Sequence, residues 1–544
     1  MKQDIKRRGR REHVKLSAGF LIGLMVLLAP GLEGGAQEGP FKATPIFDLK
    51  AEPKDGTVTS ESRAPALIQP LIKVNIEEAI LLALENNRSL RVEQYSRPIR
   101  STFEDQEEAV FDPVLTGRAE YGRQKSVFRS RALNTPVDDT ENRAAAQAGV
   151  SKYFPTGTGV EVSVSGERTW SDLYSDQYAS RLGFSVTQAL LRGAGTDVNL
   201  ATLQQARVAT QISEYEFRGF AEALVARVEE TYWDYALARR QIEIFEESLK
   251  VSEQQLREIE EMISVGRLAE TEITAAQAEI AVQQQGLIGA KGNAETARLR
   301  LLRLLNPSSS RMWDLEVKLT EEPRLPEVVL DPVQLHVEIA LRLRPEINQA
   351  KLGVKSNDLE IVKTKNGLLP KMDFFITLGK TGYADSFGSS VRNITDDYYN
   401  ALAGVAFQYP LRNRDADARY RRSMLRKDQG LEAVDNLEQL VELEVRTGYI
   451  EVTRSREQIL ASSASRRLQE EKLRIETEKL RVGRSTAFLV SQAQRDFLTS
   501  QITEIIAVAN YLKALVALYR LEGSLLERRG IAAPGKEPVT LTAY

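Results

Sequence analysis

Val265-Gly266-Arg267 recurs as Val482-Gly483-Arg484, and the match extends far beyond those three residues. At a constant separation of 217 positions, Val228 matches Val445, Tyr232 matches Tyr449 and Arg239 matches Arg456. Gln241-Ile242, Leu256-Arg257, Ala276-Gln277 and Arg303-Leu304 match Gln458-Ile459, Leu473-Arg474, Ala493-Gln494 and Arg520-Leu521. No gap is needed, so the chain contains an internal repeat of one helix–turn–helix unit.

Helical patterning flanks both turns. Leu224, Val228, Thr231, Tyr235, Ala238, Ile242, Phe245, Leu249, Ser252, Leu256, Ile259 and Ile263 keep a 4-3 heptad spacing. After the turn, Ile273, Ala276, Ile280, Leu287, Ala290, Ala294, Ala297, Leu301 and Leu304 continue a similar seam, whose alanines imply closely approaching helices. The spacing predicts long helices over 199–264 and 415–481, tips at 265–267 and 482–484, and return helices over 268–306 and 485–523. Asn306-Pro307 and Gly523 are the stops. A helix of about 66 residues is a rod of about 100 Å, and a return helix of about 39 residues covers only half of it. An initial helix of about 36 residues, capped by Asn75 with Glu78 three positions on and running to Val110, covers the other half. Asp331-Pro332 opens its second copy. Ala83-Leu84 matches Ala340-Leu341, and both copies end at a proline, Pro113 and Pro370.

Alternating segments follow each proline. Leu115, Gly117, Ala119 and Tyr121 alternate with polar residues, as do Val160, Val162 and Val164, then Leu182, Phe184 and Val186. Phe374, Ile376 and Leu378, and Tyr399, Ala401, Ala403, Val405 and Phe407, do the same in the second copy. A period of two over about 10 residues suits a membrane β-strand, and equally a soluble sheet with one buried face. Matching corners, Gln188-Ala189-Leu190-Leu191-Arg192 and Gln408-Tyr409-Pro410-Leu411-Arg412, return each copy to its long helix and favour the membrane reading. The polar stretches Arg123 to Arg143 and Tyr383 to Asp397 read as surface loops.

Composition narrows the function. A net charge of -3 with 27% charged residues gives no electrostatic case for a nucleic-acid partner. There is no cysteine, and the only histidines are His13 and His336, so no nucleophile–base pair or metal cluster can be assembled and no cofactor is expected. His336 reads as a helix-surface or interface residue. Leu191-Arg192-Gly193-Ala194-Gly195 lacks the Gly-Lys-Ser/Thr of a phosphate loop and reads as a hinge. Lys6 to Lys15 is basic, Ala18 to Leu28 is apolar and Gly34-Gly35-Ala36 is small, which is the pattern of a secretory signal. No later run of about 18 apolar residues marks a transmembrane helix. The divisions expected are a signal at 1–36, an extended leader at 37–72, a first repeat at 73–306 with strands in 114–188, and a linker at 307–330. A second repeat at 331–523, with strands in 371–409, and a tail at 524–544 complete the chain.

The doubled order of helix, strands, long helix, Val-Gly tip and return helix, over about residues 72–527 and behind a signal, resembles the TolC-like outer-membrane efflux protein family. The residues carrying the likeness are the two Val-Gly turns, Ala276-Gln277 and Ala493-Gln494 downstream, and the Gln-x-x-Leu corners at Gln188 and Gln408. The resemblance implies a mainly α fold with a membrane β-barrel section. It implies a homotrimer whose strands pool into one barrel in outer-membrane lipid and whose helices form a periplasmic tunnel. It also implies an exit duct for efflux or type I secretion, docked through Val265, Gly266, Arg267, Val482, Gly483 and Arg484 on a periplasmic adaptor and an inner-membrane pump. Arg267 and Arg484 also suit helix ends as plain cations. Pooling is demanded physically as well, since four strands cannot close a barrel that needs about eight.

Two departures from the family pattern stand out. About 75 residues separate Pro113 from Gln188, against about 38 in the second copy, leaving room for an extra hairpin of Ala146 to Phe154 and Val160 to Arg168. The aspartates that the family pattern puts six and nine residues after the second tip glycine are here Leu489 and Gln492, while the first copy offers Glu272. A constriction closed by apolar contact at Leu489, with little block by divalent cations, is expected. The alternative is a periplasmic coiled-coil scaffold without membrane strands.

Overall fold

The structure is a computed structural model describing residues 71–129, 135–172, 174–308, 311–324 and 329–541. The signal at 1–36 and nearly all of the leader lie outside the described residues.

The described chain begins with a strand, β1 (Leu71–Val74), followed by helices α1 (Ile76–Asn86), α2 (Arg88–Glu93) and α3 (Ser96–Glu108). The single helix expected from Asn75 to Val110 is therefore broken. Asn75 and Glu78 form the reciprocal capping box at its start. Asn87 then ends α1 and caps α2, its side chain accepting from Ser89 N at 3.0 Å and Leu90 N at 3.2 Å. A residue that caps in extended conformation cannot also continue a helix.

Strands β2 (Val114–Arg129), β3 (Pro136–Phe154), β4 (Thr158–Ser171) and β5 (Gln177–Ala189) come next. The stretch Arg123 to Arg143, expected to be a loop, is mostly strand: β2 and β3 pair from Val114↔Ser151 to Arg129↔Pro136. Polar residues are compatible with a two-stranded end that projects past the apolar part of the sheet. A short helix α4 (Thr196–Asn199) leads to α5 (Ala201–Ser264), and α6 (Glu272–Leu305) returns.

The supposed linker holds β6 (Glu316–Leu319), which pairs in parallel with β1, Leu71 opposite Glu316 and Val74 opposite Leu319. Tyr235 on α5 donates its hydroxyl to Val317 O at 2.9 Å, fixing this small sheet against the long helix.

In the second copy, α7 (Val333–Leu343) and α8 (Pro345–Gly367) break at Arg344-Pro345, where proline takes the first helical position. Strand β7 (Lys371–Ala384), helix α9 (Phe387–Arg392) and strand β8 (Tyr399–Gln408) follow, so the expected loop contains a helix. Then come α10 (Arg414–Arg481), α11 (Ala487–Leu521) and α12 (Leu525–Arg528).

Six strands form one antiparallel sheet in the order β2-β3-β4-β5-β7-β8. Its register puts every apolar residue of the alternating segments on one face: Leu115, Val150, Val162, Phe184, Leu378 and Ala401 form one row across all six strands. Helix α9 lies at the outer end over a row of small residues, with Ser390 Oγ 2.7 Å from Ser180 Oγ and the Phe387 ring against Gly166.

The helices make four columns. α5 packs on one side against α1, α3 and α6, on the other against α8 and α11, and α10 packs against α7, α8 and α11. α11 is, among the described residues, the one helix with the length and apolarity to cross a membrane, at mean hydropathy 1.5. Its Tyr511, Leu515 and Leu518 instead fill a core with Val441, Val445 and Val452 of α10 and Val337 and Ile347 of α7 and α8.

His336 is buried, not at the surface. Its Nδ1 faces the Glu522 carboxylate, which also accepts from Ser524 Oγ at 2.6 Å and pairs with Arg528 at 3.2 Å. The tail is bound to the body: Val539 N donates to Asn348 Oδ1 at 2.7 Å and Arg529 Nε to Glu229 at 2.7 Å. Arg218, fully buried on α5, serves both Glu222, at 3.3 Å, and Glu527. One guanidinium for two carboxylates leaves Glu222 short of compensation, and burial pushes its pKa up to about 8 even with Arg218 pulling it down.

Candidate functional site

The two tips are built identically. Gly266 N donates to Ile263 O at 2.9 Å and Arg267 N to Met262 O at 2.8 Å. Gly483 N and Arg484 N repeat this with Leu480 O and Lys479 O at 2.9 and 2.8 Å. These are the paired 5→2 and 6→1 bonds of a Schellman ending, which needs a left-handed residue at its centre. Both glycines supply it with φ of 73°. The bonds turn Val265 and Val482 outward, 64% and 69% exposed. Arg267 and Arg484 are exposed beside them and enter no ion pair among the described residues. Each tip thus offers an apolar side chain and an unneutralised cation.

Behind the tips the repeats interlock. Ile259, Ala276 and Ala487 form a small core with Leu256, Met262, Ile263 and Leu268 around it. Glu272 Oε2 accepts from Ala487 N at 2.8 Å, at the start of α11. Ala276 and Ala493 are both buried, which explains the doubled Ala-Gln motif: helices approach too closely there for a larger side chain. Its glutamines diverge, since Gln494 is buried on Ser252 Oγ at 2.7 Å while Gln277 is exposed. Glu279 is buried against Arg495 at 2.6 Å and Gln283 at 2.6 Å, and its counterpart Asp496 pairs with Lys472 at 2.7 Å.

Leu489 and Gln492 are exposed on the first turns of α11, Leu489 by 44%. Phe488, exposed beside Leu489, was missed in the sequence, where a lone aromatic next to a tip carries no pattern. Of the three residues named for the constriction, Glu272 is the one committed to a backbone N–H.

The corners are unequal. Gln188 is held by Thr158 Oγ1 and donates to Ala189 O at 2.8 Å, and Leu190 N donates to Met372 O at 2.8 Å. Leu191 is partly covered. Asn199, unnoticed in the sequence, places Nδ2 within 2.8 to 3.0 Å of the carbonyls of Gly193, Pro155 and Gly195. Asn366 Oδ1 accepts from Gly193 N at 2.8 Å. At the second corner Gln408 is exposed, the Pro410 carbonyl accepts from Asn413 N at 3.1 Å, and Leu411 is 97% exposed.

The model of the outer membrane efflux protein family matches residues 79–307 and 337–524, well over half of the chain and one segment per copy. No curated protein matches the sequence. Solved structures share the fold. The outer-membrane channel OprN is 17% identical with a TM-score of 0.61, covering 86% of this chain and 99% of its own. The Campylobacter jejuni CmeC outer membrane channel is 14% identical with a TM-score of 0.62, covering 89% and 95%. The outer membrane protein VceC from Vibrio cholerae is 15% identical with a TM-score of 0.60, covering 82% and 96%. With both copies matched by the family model, the chain belongs to the outer membrane efflux protein family and is an outer-membrane exit duct reaching into the periplasm.

Proposed function

We propose that three copies close around a common axis and that the Val-Gly-Arg tips dock on a periplasmic adaptor protein fed by an inner-membrane pump. The observation that carries the trimer is that both layers are open at corresponding ends. The sheet ends in unpaired edges at β2 and β8, and the helix layer ends in the α1–α3/α6 column and in α10. β2 follows α3 and β8 precedes α10, so one rotation pairs both layers at once. The free helix faces are apolar: Val92, Tyr95, Ile99, Phe103 and Val110 on one, Leu425, Leu443, Ile450 and Leu468 on the other, all exposed. Such stripes mark interfaces, and open strand edges are not tolerated in lipid.

A periplasmic scaffold would leave the apolar sheet face in water, which disfavours that reading. At the tip, an exposed valine and a free arginine suit a partner presenting an apolar groove rimmed by carboxylates. At the tunnel end, Leu489 and Phe488 support closure by apolar contact rather than by an anionic ring. Fractionation tests the assembly: a detergent-extracted outer-membrane trimer is the expected result, and release with periplasmic contents would overturn the proposal.

A further inference from the structure

The hairpin β3–β4 has no counterpart in the second copy, and it sits inside the sheet, between β2 and β5. We propose that both of its strands cross the membrane in every chain, so that three chains close a barrel of 18 strands, six from each. The proposal rests on the trimer reading above.

Four observations carry it. The apolar face continues through the hairpin without a break: Gly117, Ala148, Val164 and Leu182 are register partners in turn, one row beyond the row of Leu115, Val150, Val162 and Phe184. The opposite face is polar in the same rows, with Arg118, Gln147, Ser165 and Arg181 aligned. A hairpin lying in water would have no reason to keep this alternation in phase with its neighbours.

Aromatic side chains bracket the apolar face at both ends, as membrane barrels require at their interfaces. Tyr121, Trp170 and Tyr178 lie toward the loops, with the Arg168 guanidinium 4.4 Å from the Trp170 ring centre. Phe154, Phe374 and Phe407 lie toward the corners. Two of these six, Trp170 and Phe154, belong to the hairpin.

The hairpin's turn is built into the corner. Gly157, at φ 85°, lies so close to Gly193 that a Cβ would sit 2.3 Å from the Gly193 carbonyl. Ala189 N donates to Gly157 O at 3.0 Å, Asn199 holds the Pro155 carbonyl, and Tyr153 OH donates to Asn199 Oδ1 at 3.2 Å. The hairpin's turn therefore lies level with the end of β5 at the corner, and β4 runs beside β5.

The circumferences agree. Eighteen strands about 4.8 Å apart, tilted by about 40°, need about 113 Å, whereas twelve need only about 75 Å. Four helical columns from each of three chains, about 9 Å apart, need about 110 Å. A barrel of 18 strands continues the tunnel at nearly constant bore, and strand numbers of 16–18 leave an open aqueous lumen.

The absence of native cysteine makes the test direct, since every introduced thiol is unique. Single variants Ala148→Cys, Val164→Cys and the β5 control Leu182→Cys probe one face; Gln147→Cys, Ser165→Cys and the control Arg181→Cys probe the other. Purified trimer is reconstituted in vesicles, labelled with an environment-sensitive fluorophore and quenched by spin-labelled lipid, or reacted with a membrane-impermeant maleimide. The expected result is strong quenching at Ala148 and Val164, as at Leu182, and free aqueous reaction at Gln147 and Ser165, as at Arg181. Equal aqueous reaction at all four hairpin positions while Leu182 stays quenched overturns the proposal and leaves the membrane reading standing. Loss of quenching at Leu182 as well overturns both. A purified species other than a trimer overturns the trimer reading and the count of 18, while the cysteine pattern still decides whether the hairpin spans. Electron cryo-microscopy of the trimer should count 18 strands, and a count of twelve contradicts the proposal.

Discussion

Glu272 and Ala487 join the two repeats at the tip: the carboxylate at the start of α6 accepts from the backbone N–H that starts α11, at 2.8 Å. One anion therefore serves the positive ends of two helices, an arrangement worth about 1 kcal/mol. Glu272→Ala should loosen the tip, with faster amide exchange over 265–275 and 482–490 and a severalfold higher open probability of the isolated channel. Unchanged exchange and gating would remove Glu272 from the closing machinery.

In the proposed trimer, Leu489 stands where an acidic residue would make a cation-binding ring. Millimolar divalent cations should leave the conductance of the natural channel nearly unchanged, while Leu489→Asp should confer a block that rises with cation concentration. Three carboxylates converging on one axis attract a divalent ion strongly, whereas three leucines offer it no ligand. Block of the unmodified channel at low cation concentration would contradict an apolar constriction.

Gly266 and Gly483 both hold φ of 73°, where an L side chain costs about 1–2 kcal/mol. Gly266→Ala with Gly483→Ala should fray the tips and weaken adaptor binding about tenfold without disturbing the trimer. Arg267→Glu with Arg484→Glu should abolish adaptor capture and leave the melting temperature unchanged, because neither arginine pairs within the described chain. A melting shift from the charge reversal would mark the arginines as structural instead.

Glu222 makes stability depend on pH. Its folded pKa is about 8 against an ordinary 4.5, so between those values the unfolded chain releases a proton that the folded chain keeps. Stability contributed by this group is complete below pH 4.5, falls by up to about 1.4 kcal/mol per unit as pH rises toward 8, and levels off above it. Thermal melting of Glu222→Gln should be flatter between pH 5 and 8 than that of the natural chain. Equal slopes would show that Arg218 keeps Glu222 ionised.

The sequence made the tips and long helices legible because they are periodic: heptads end at glycine, twice, at one spacing. Alternation likewise announced Leu115, Val162, Phe184, Phe374 and Val405 as residues of one face. What stayed hidden depends on partners far along the chain. β1 is too short for any period and is defined by β6, more than 240 residues away. Asn87 stands in the polar stretch Glu85-Asn86-Asn87-Arg88-Ser89, which reads equally well as the solvent face of one continuous helix, and only its cap geometry breaks the helix. Asn199 and Asn366 act on carbonyl and amide groups of a hinge whose path a one-dimensional pattern does not contain. His336 faces Glu522 across 186 positions, a pairing no local rule suggests. Polar strand ends such as Arg123 and Arg143 imitate loops, because a strand leaving the membrane needs no apolar face.

Conduction is the property an exit duct must show most directly. Detergent-extracted trimer added to a planar lipid bilayer should insert and give discrete, ion-conducting steps. The same protein should still insert but lose most of its conductance when adaptor-free tips are locked together by a trifunctional maleimide that joins the Gln492→Cys residues of all three copies. A trimer that never conducts, or one whose current ignores the locked tips, would contradict an exit duct gated at its periplasmic mouth.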